Sequence, residues 1–169
     1  MRGRGGEDLT ANDIRACFRE HYLDRFREVG LFEFGISSDG NYWGSIFDAF
    51  IVVPDRQIFK GFEFKVTNSD FLADRKPRHR YGPMTPKWKA YLEFCNLFAW
   101  VCPEGIITPE EVEPPAGLLW IVPAPSISGF RFRMMKRPRR INRDMPIALQ
   151  RRILFFFAAR AKSRNESFF

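Results

Sequence analysis

The chain has 169 residues, 45% hydrophobic and 16% aromatic, which is enough apolar material for a packed core and excludes a disordered composition. Its net charge of +7 is uneven: residues 131–169 hold 12 Lys/Arg against 2 Asp/Glu, while residues 1–100 hold 15 against 14, the footprint of a protein that sits on a phosphate backbone. Cys17, Cys95 and Cys102 are odd in number and lack paired metal spacing, which argues against a disulfide framework or zinc site. With no apolar leader and no run longer than "ILFFFAA", a soluble, cytoplasmic chain without a membrane segment is expected.

"MRGRGGED" is Gly-rich and charged and reads as frayed. Thr10 with Asp13 resembles a capping box. Ile14, Phe18, Tyr22, Phe26 and Val29 then recur at helical spacing, predicting a helix from about Ala11 to Val29 that Gly30 stops. "LFEFGIS" follows as a short strand and "SSDGNYWGS" as a turn. "IFDAFIVV" and "QIFKGFEFKV" are strong strand signals separated by "PDR", and so form a hairpin. In "TNSDFLADRK" Asn68, Ser69 or Asp70 can cap a helix, which Pro77 ends; "PRHRYGPMTP" is a basic loop. "KWKAYLEF" resumes helical spacing. "LFAWVCP" and "GLLWIVPA" are strands around the acidic "PEGIITPEEVEPPA", and "FRFRMMKR" alternates like an edge strand. Asp144 with Pro146 opens a last helix through about Lys162. Elements mix rather than strictly alternate, so the expected fold is α/β with a mixed sheet flanked by helices. It forms a single domain over 1–169, with 1–9 disordered and 131–169 a basic C-terminal extension.

Two acids stand in apolar strands: Asp48 in "IFDAFIVV" and Glu63 in "FEFKV". Ionised carboxylates are costly to bury unless they are paired or bind a cation. With the turn centred on Asp55 and Arg56, antiparallel partners have numbers summing to about 111, so Asp48 faces Glu63 with Cβ atoms about 5 Å apart. Like charges that close raise a pKa or recruit a cation. Lys65 projects from the same face, about 7 Å along the strand. Two carboxylates can hold Mg²⁺ (or Mn²⁺) and leave positions for water and a phosphate oxygen. The ion polarises phosphorus and acidifies water, and the Lys65 ammonium orients that water or stabilises developing charge. That combination is phosphodiester hydrolysis. The alternative is an exposed sheet face on which Glu63 and Lys65 meet water while Phe62, Phe64 and Val66 are buried. Asp55, although preceded by Pro54, lies eight residues and about 26 Å of extended strand from Glu63 and is read as a turn residue.

These residues resemble the PD-(D/E)xK nuclease superfamily, of restriction-endonuclease-like fold. The stretches "FEFKVTNSDFLADRK", "KWKAYLEFCNLFAWVCP" and "GLLWIV" are more closely similar to the MmcB-like DNA repair family within it. The resemblance covers about Phe32 to Val122. It implies an αβββαβ core, Asp48 and Glu63 as metal ligands, the Phe64 carbonyl as a further ligand, and Lys65 as catalytic. Many members also carry a glutamate on the first helix, for which Glu20 is the weak candidate and Glu33 its rival. The implied activity is a Mg-dependent endonuclease of DNA repair, recombination or phage-related DNA processing.

DNA would be held through its phosphates by Lys76, Arg78, Arg80, Lys87 and Lys89 around the second helix, and by Arg133, Lys136, Arg137, Arg139 and Arg140 in the basic extension. Arg75 and His79 belong to the same basic stretch. Trp88 and Tyr91 either stack on bases or fill the core. His21 and His79 are too few for a histidine metal site. Two other readings stand beside the enzyme. One is a non-catalytic nucleic-acid-binding module on a nuclease scaffold. The other is a branched-DNA resolvase, which needs a homodimer and for which "ILFFFAARAK" is a candidate face.

Overall fold

The computed structural model describes residues 9–23, 29–36, 45–78, 85–141, 144, 147, 150–151 and 153–155. The Thr10 capping box forms as expected: Asp13 N–H donates to the Thr10 hydroxyl and Thr10 N–H to the Asp13 carboxylate at 2.9 Å. The helix it opens, α1 (Ala11–Phe18), does not reach Val29. The backbone widens into a π-turn over Arg19–Leu23, and Val29 and Gly30 already belong to β1 (Val29–Ile36), paired with Val52 and Ile51. Residues 24–28 of the expected helix, Phe26 among them, lie outside the described residues. Strand pairing of a β-branched residue has overridden helical periodicity.

β2 (Ser45–Val53) and β3 (Ile58–Phe64) form the expected hairpin around a 3₁₀ turn at Pro54–Arg56. Their ladder runs from Val53↔Ile58 to Ala49↔Phe62, the expected register. Next come α2 (Asn68–Arg75), the short pair β4 (Pro77–Arg78) and β5 (Thr85–Pro86), and α3 (Lys87–Tyr91). The cap of α2 is Thr67, whose hydroxyl accepts the Asp70 N–H, rather than any of the three residues after it. β6 (Leu97–Pro103), β7 (Gly117–Pro123) and β8 (Phe130–Lys136) complete the sheet, whose order is β1-β2-β3-β6-β7-β8. β3, β6 and β7 are mutually parallel and the outer neighbours antiparallel. The fold is therefore α/β with a mixed six-stranded sheet flanked by helices. Of the last expected helix, residues 147, 150–151 and 153–155 are helical; its end beyond 155 is outside the described residues.

Both sheet faces are covered. Against one face α1 packs Ile14, Cys17 and Phe18 on Ala49, Ile51, Phe62, Phe64, Val101 and Ile121. Against the other lie Phe71 of α2, Trp88 and Tyr91 of α3, Ile107 and Val112 of the β6–β7 connection, and Ile153. The aromatic pair Trp88 and Tyr91 is thus core, not a base-stacking platform. The three thiols are free and buried. No helix among the described residues is long and apolar enough to cross a membrane.

Strand alternation breaks at one position beside Asp48. Phe50 and Val52 face α3 and Ala49 and Ile51 face α1, so Phe47 should face α1. Its ring lies instead on the α3 side, 4.5 Å from Tyr91 and 5.1 Å from Phe50 between centroids, and it covers Gly61. A Cβ on Gly61 would come within 2.3 Å of that ring. Only glycine lets the two strands carry the ring there.

Candidate functional site

The site lies where β3 runs out of partners. Beyond Ala49↔Phe62 the β2 backbone no longer pairs, and the Asp48 carboxylate accepts the Phe64 N–H at 2.7 Å. A side chain has replaced the next ladder bond, which fixes one Asp48 oxygen beside the end of β3. On the other edge Lys65 N–H donates to Val101 O at 2.8 Å and keeps Lys65 against β6. Its ammonium sits 5.7 Å from the centre of the Trp100 ring.

After Lys65 the Thr67 cap turns the chain into α2, and its second turn brings Asp74 back over the sheet. Asp74 accepts from Lys65 Nζ at 2.6 Å. Lys65 Nζ also donates to Glu63 Oε1 at 3.2 Å. From the start of α3, Lys87 Nζ reaches the same Glu63 oxygen at 2.8 Å and lies 3.7 Å from Asp74 Oδ2. Glu63, Lys65 and Asp74 are 3%, 7% and 6% exposed, so the reading in which Glu63 and Lys65 face water is excluded. The result is an alternating cluster in which two ammoniums share Glu63 Oε1.

Glu63 Oε2 is buried without a hydrogen-bond partner among the described residues. Burial pushes the Glu63 carboxyl above its ordinary range and the Asp48 charge pushes it further; Lys65 and Lys87 oppose the shift. Asp48, half-buried, is raised by desolvation, opposed by the Phe64 N–H and then by the two lysines and Arg15. Tyr91, under the Phe47 ring, has its phenol raised by burial and next by Glu63, so it remains a neutral hydroxyl. Asp48 therefore sits close enough for its charge to burden the buried Glu63 carboxylate. Among the described residues no group of three or more His, Cys, Asp or Glu is placed to hold a metal ion. The donor set is two carboxylates, the smaller complement that Mg²⁺ commonly takes alongside water.

Other expected site residues are placed elsewhere. The Glu20 carboxylate accepts from the Ile127 and Ser128 N–H groups at 3.0 and 2.8 Å and from the Ser128 hydroxyl, in the β7–β8 turn. Both oxygens are committed there, and Glu20 is not aimed at Asp48 and Glu63. Exposed Glu33, its rival, accepts from the half-buried Arg15 at 2.6 Å. Lys87, expected on phosphate, belongs to the buried cluster. Lys136 donates to the Pro109 and Val112 carbonyls, Arg133 pairs with Glu104 at 2.8 Å, and Lys89 lies 3.9 Å from Glu113. Lys76, Arg137, Arg139 and Arg140 are exposed; the side chain of Arg78 and all of His79 and Arg80 lie outside the described residues. Arg139 and Ile141 N–H bond to Pro115 O and Asn96 O, so the basic segment crosses the amino-terminal ends of β7 and β6. Asn96 is four residues before Trp100, the rung of Glu63, hence about 13 Å from it along the strand. These arginines flank the sheet at a distance from the carboxylates.

Sequence reading missed the parts played by Asp74 and Lys87. The signal for Asp74 was a lone acid in a helix directly after the Glu-x-Lys strand; Lys87 was indistinguishable from its basic neighbours. Comparison of the chain with protein-family models, with curated proteins and with solved structures finds no match in any of the three.

Proposed function

We propose that the chain is a Mg²⁺- or Mn²⁺-dependent nuclease of PD-(D/E)xK type that hydrolyses phosphodiester bonds in DNA. The observation that carries this reading is Glu63 Oε2: a buried carboxylate oxygen with no hydrogen-bond partner among the described residues, beside a second carboxylate whose charge it must tolerate. The set fits a divalent cation, since Oε1 is already saturated by two ammoniums while Oε2 and the Asp48 carboxylate are left to share one. Asp48 and Glu63 would hold the ion, with the Phe64 carbonyl as a further donor. When bound, the ion supplies Lewis acidity toward a phosphate oxygen and acidifies water. Lys65, fixed by Asp74 at one side and Glu63 at the other, places an ammonium to orient the attacking water and to balance charge on phosphorus as the bond to the leaving oxygen breaks. Asp74 holds that ammonium in place, and the cover of α2 and α3 keeps bulk solvent away from it.

The test is a cleavage panel of linear, nicked, branched and single-stranded DNA and of RNA, with Mg²⁺, Mn²⁺ or chelator. Metal-dependent DNA cleavage is expected, abolished in Asp48→Asn and Glu63→Gln, with DNA binding retained. If no substrate is cut under any condition, the enzymatic reading fails. One observation favours a second reading: both lysines already neutralise Glu63 without any ion, as a structural ion network would. A non-catalytic DNA-binding module would then bind through exposed arginines and ignore chelator.

A further inference from the structure

The two ammoniums do different work, and Lys87 bears on how many ions the site can take. Lys65 is the short link, 2.6 Å from Asp74, and follows directly on the strand that carries Glu63. Lys87 arrives from α3 and sits between the same two acids, 2.8 Å from Glu63 Oε1 and 3.7 Å from Asp74 Oδ2. Any second cation bridging Glu63 to Asp74 would have to occupy that position. We propose that Lys87 is a built-in substitute for a second metal, so that this chain binds one divalent ion at Asp48 and Glu63 and no more.

Charge leads to the same place. Asp48, Glu63 and Asp74, when ionised, face Lys65 and Lys87, and the nearby Arg15 guanidinium is engaged by Glu33. The cluster is left with one negative charge. One doubly charged ion turns it to one positive charge, opposite to the single charge of a phosphodiester. A second ion would leave three positive charges in a largely buried setting, which desolvation makes very costly. Donor supply agrees: Glu63 Oε2 is the buried oxygen left over, while Oε1 and Asp74 Oδ2 are engaged by lysines.

The inference rests on the metal reading above and is tested apart from it by counting ions. Full-length protein is titrated with Mn²⁺ without substrate, by calorimetry and by electron paramagnetic resonance. Site ions are those lost in Glu63→Gln, which removes any contribution from surface binding. The wild type is expected to show one site ion per chain. Lys87→Met, which leaves Oε1 to Lys65 alone and opens the position Lys87 holds beside Asp74, is expected to show two, and Lys87→Arg one. Two site ions in the wild type, or one in a folded Lys87→Met, overturn the inference. If Lys87→Met does not fold, the wild-type count decides alone. No site ion in the wild type overturns the metal reading itself, a distinct result from either.

Discussion

Asp74 accepts the short bond from Lys65 and has Lys87 within reach, at 6% exposure. Its removal leaves the buried Lys65 and the half-buried Lys87 ammoniums to one glutamate, and breaking a buried pair by deleting one partner costs about 3–5 kcal/mol. Asp74→Ala should lower the free energy of unfolding by that order, read from urea denaturation, and Asp74→Leu should not restore it, because the lysines remain charged. Gly61 tests packing rather than charge. Gly61→Ala puts a methyl into the Phe47 ring, and overpacking of this kind costs about 1–3 kcal/mol. At this scale the sequence was informative where the rule is geometric. A turn at Asp55 and Arg56 fixes the register, and the register brings Asp48 to the end of β3 beside Glu63. It was silent on Asp74, Lys87 and the displaced Phe47 ring, because those positions depend on how α2 and α3 dock, which no strand periodicity encodes.

Among elements, the hairpin β2–β3 was legible because two β-branched, aromatic runs flank a single turn signal. The end of α1 was not, since Tyr22 and Val29 satisfy helical spacing while Val29 gains more by pairing with Val52. The π-turn after α1 is tied down instead by Glu20, which joins it to the β7–β8 turn. Hydrogen bonds from Ser128 hold the Glu20 carboxyl below its ordinary range. A depressed folded-state pKa contributes stability above the unfolded pKa and loses it as pH falls through the folded one. Glu20→Gln should therefore flatten the loss of stability in acid, below the usual glutamate pKa of about 4.3, seen as a smaller fall in Tm between neutral and acid pH. A second junction is Asn96, 2% exposed, which accepts the Phe59 N–H at 2.8 Å through Oδ1 and meets Ile141 through both its backbone carbonyl and its side-chain amide. Asn96→Ala strands a buried donor at Phe59 and should cost about 1–3 kcal/mol, with faster hydrogen exchange at the Phe59 and Ile141 amides.

For the whole molecule the question is which of its many basic groups are free to meet phosphate. Composition located the excess at the C-terminus but could not say which side chains the fold would consume. The acidic connection between β6 and β7 does much of that consuming: Glu104 takes Arg133, Glu113 takes Arg75 at 2.8 Å with Lys89 nearby, and the carbonyls of Pro109 and Val112 take Lys136. Lys87 is half-buried and tied to Glu63. Arg137, Arg139 and Arg140 remain exposed, on a segment whose backbone is fixed by Pro115 and Asn96. Each phosphate neutralised on duplex DNA contributes about −0.9 to the slope of log K against log salt. Replacing Arg137, Arg139 and Arg140 together by alanine should therefore make that slope shallower by about 2–3, measured by fluorescence anisotropy over a salt series. Lys136→Ala should leave the slope unchanged within error while lowering Tm, because its ammonium is held by carbonyls. The opposite pattern, with Lys136 setting the slope and the three arginines silent, would put the proposed DNA contact at the outer edge at β8 instead of at the amino-terminal ends of β6 and β7. Asn96, which anchors the arginine segment through Ile141, lies about 13 Å along β6 from the rung of Glu63, about four base-pair rises at 3.4 Å each. On the nuclease reading proposed above, one duplex would reach both the arginine segment and the carboxylates, and the triple variant should weaken binding far more than it slows a bound substrate.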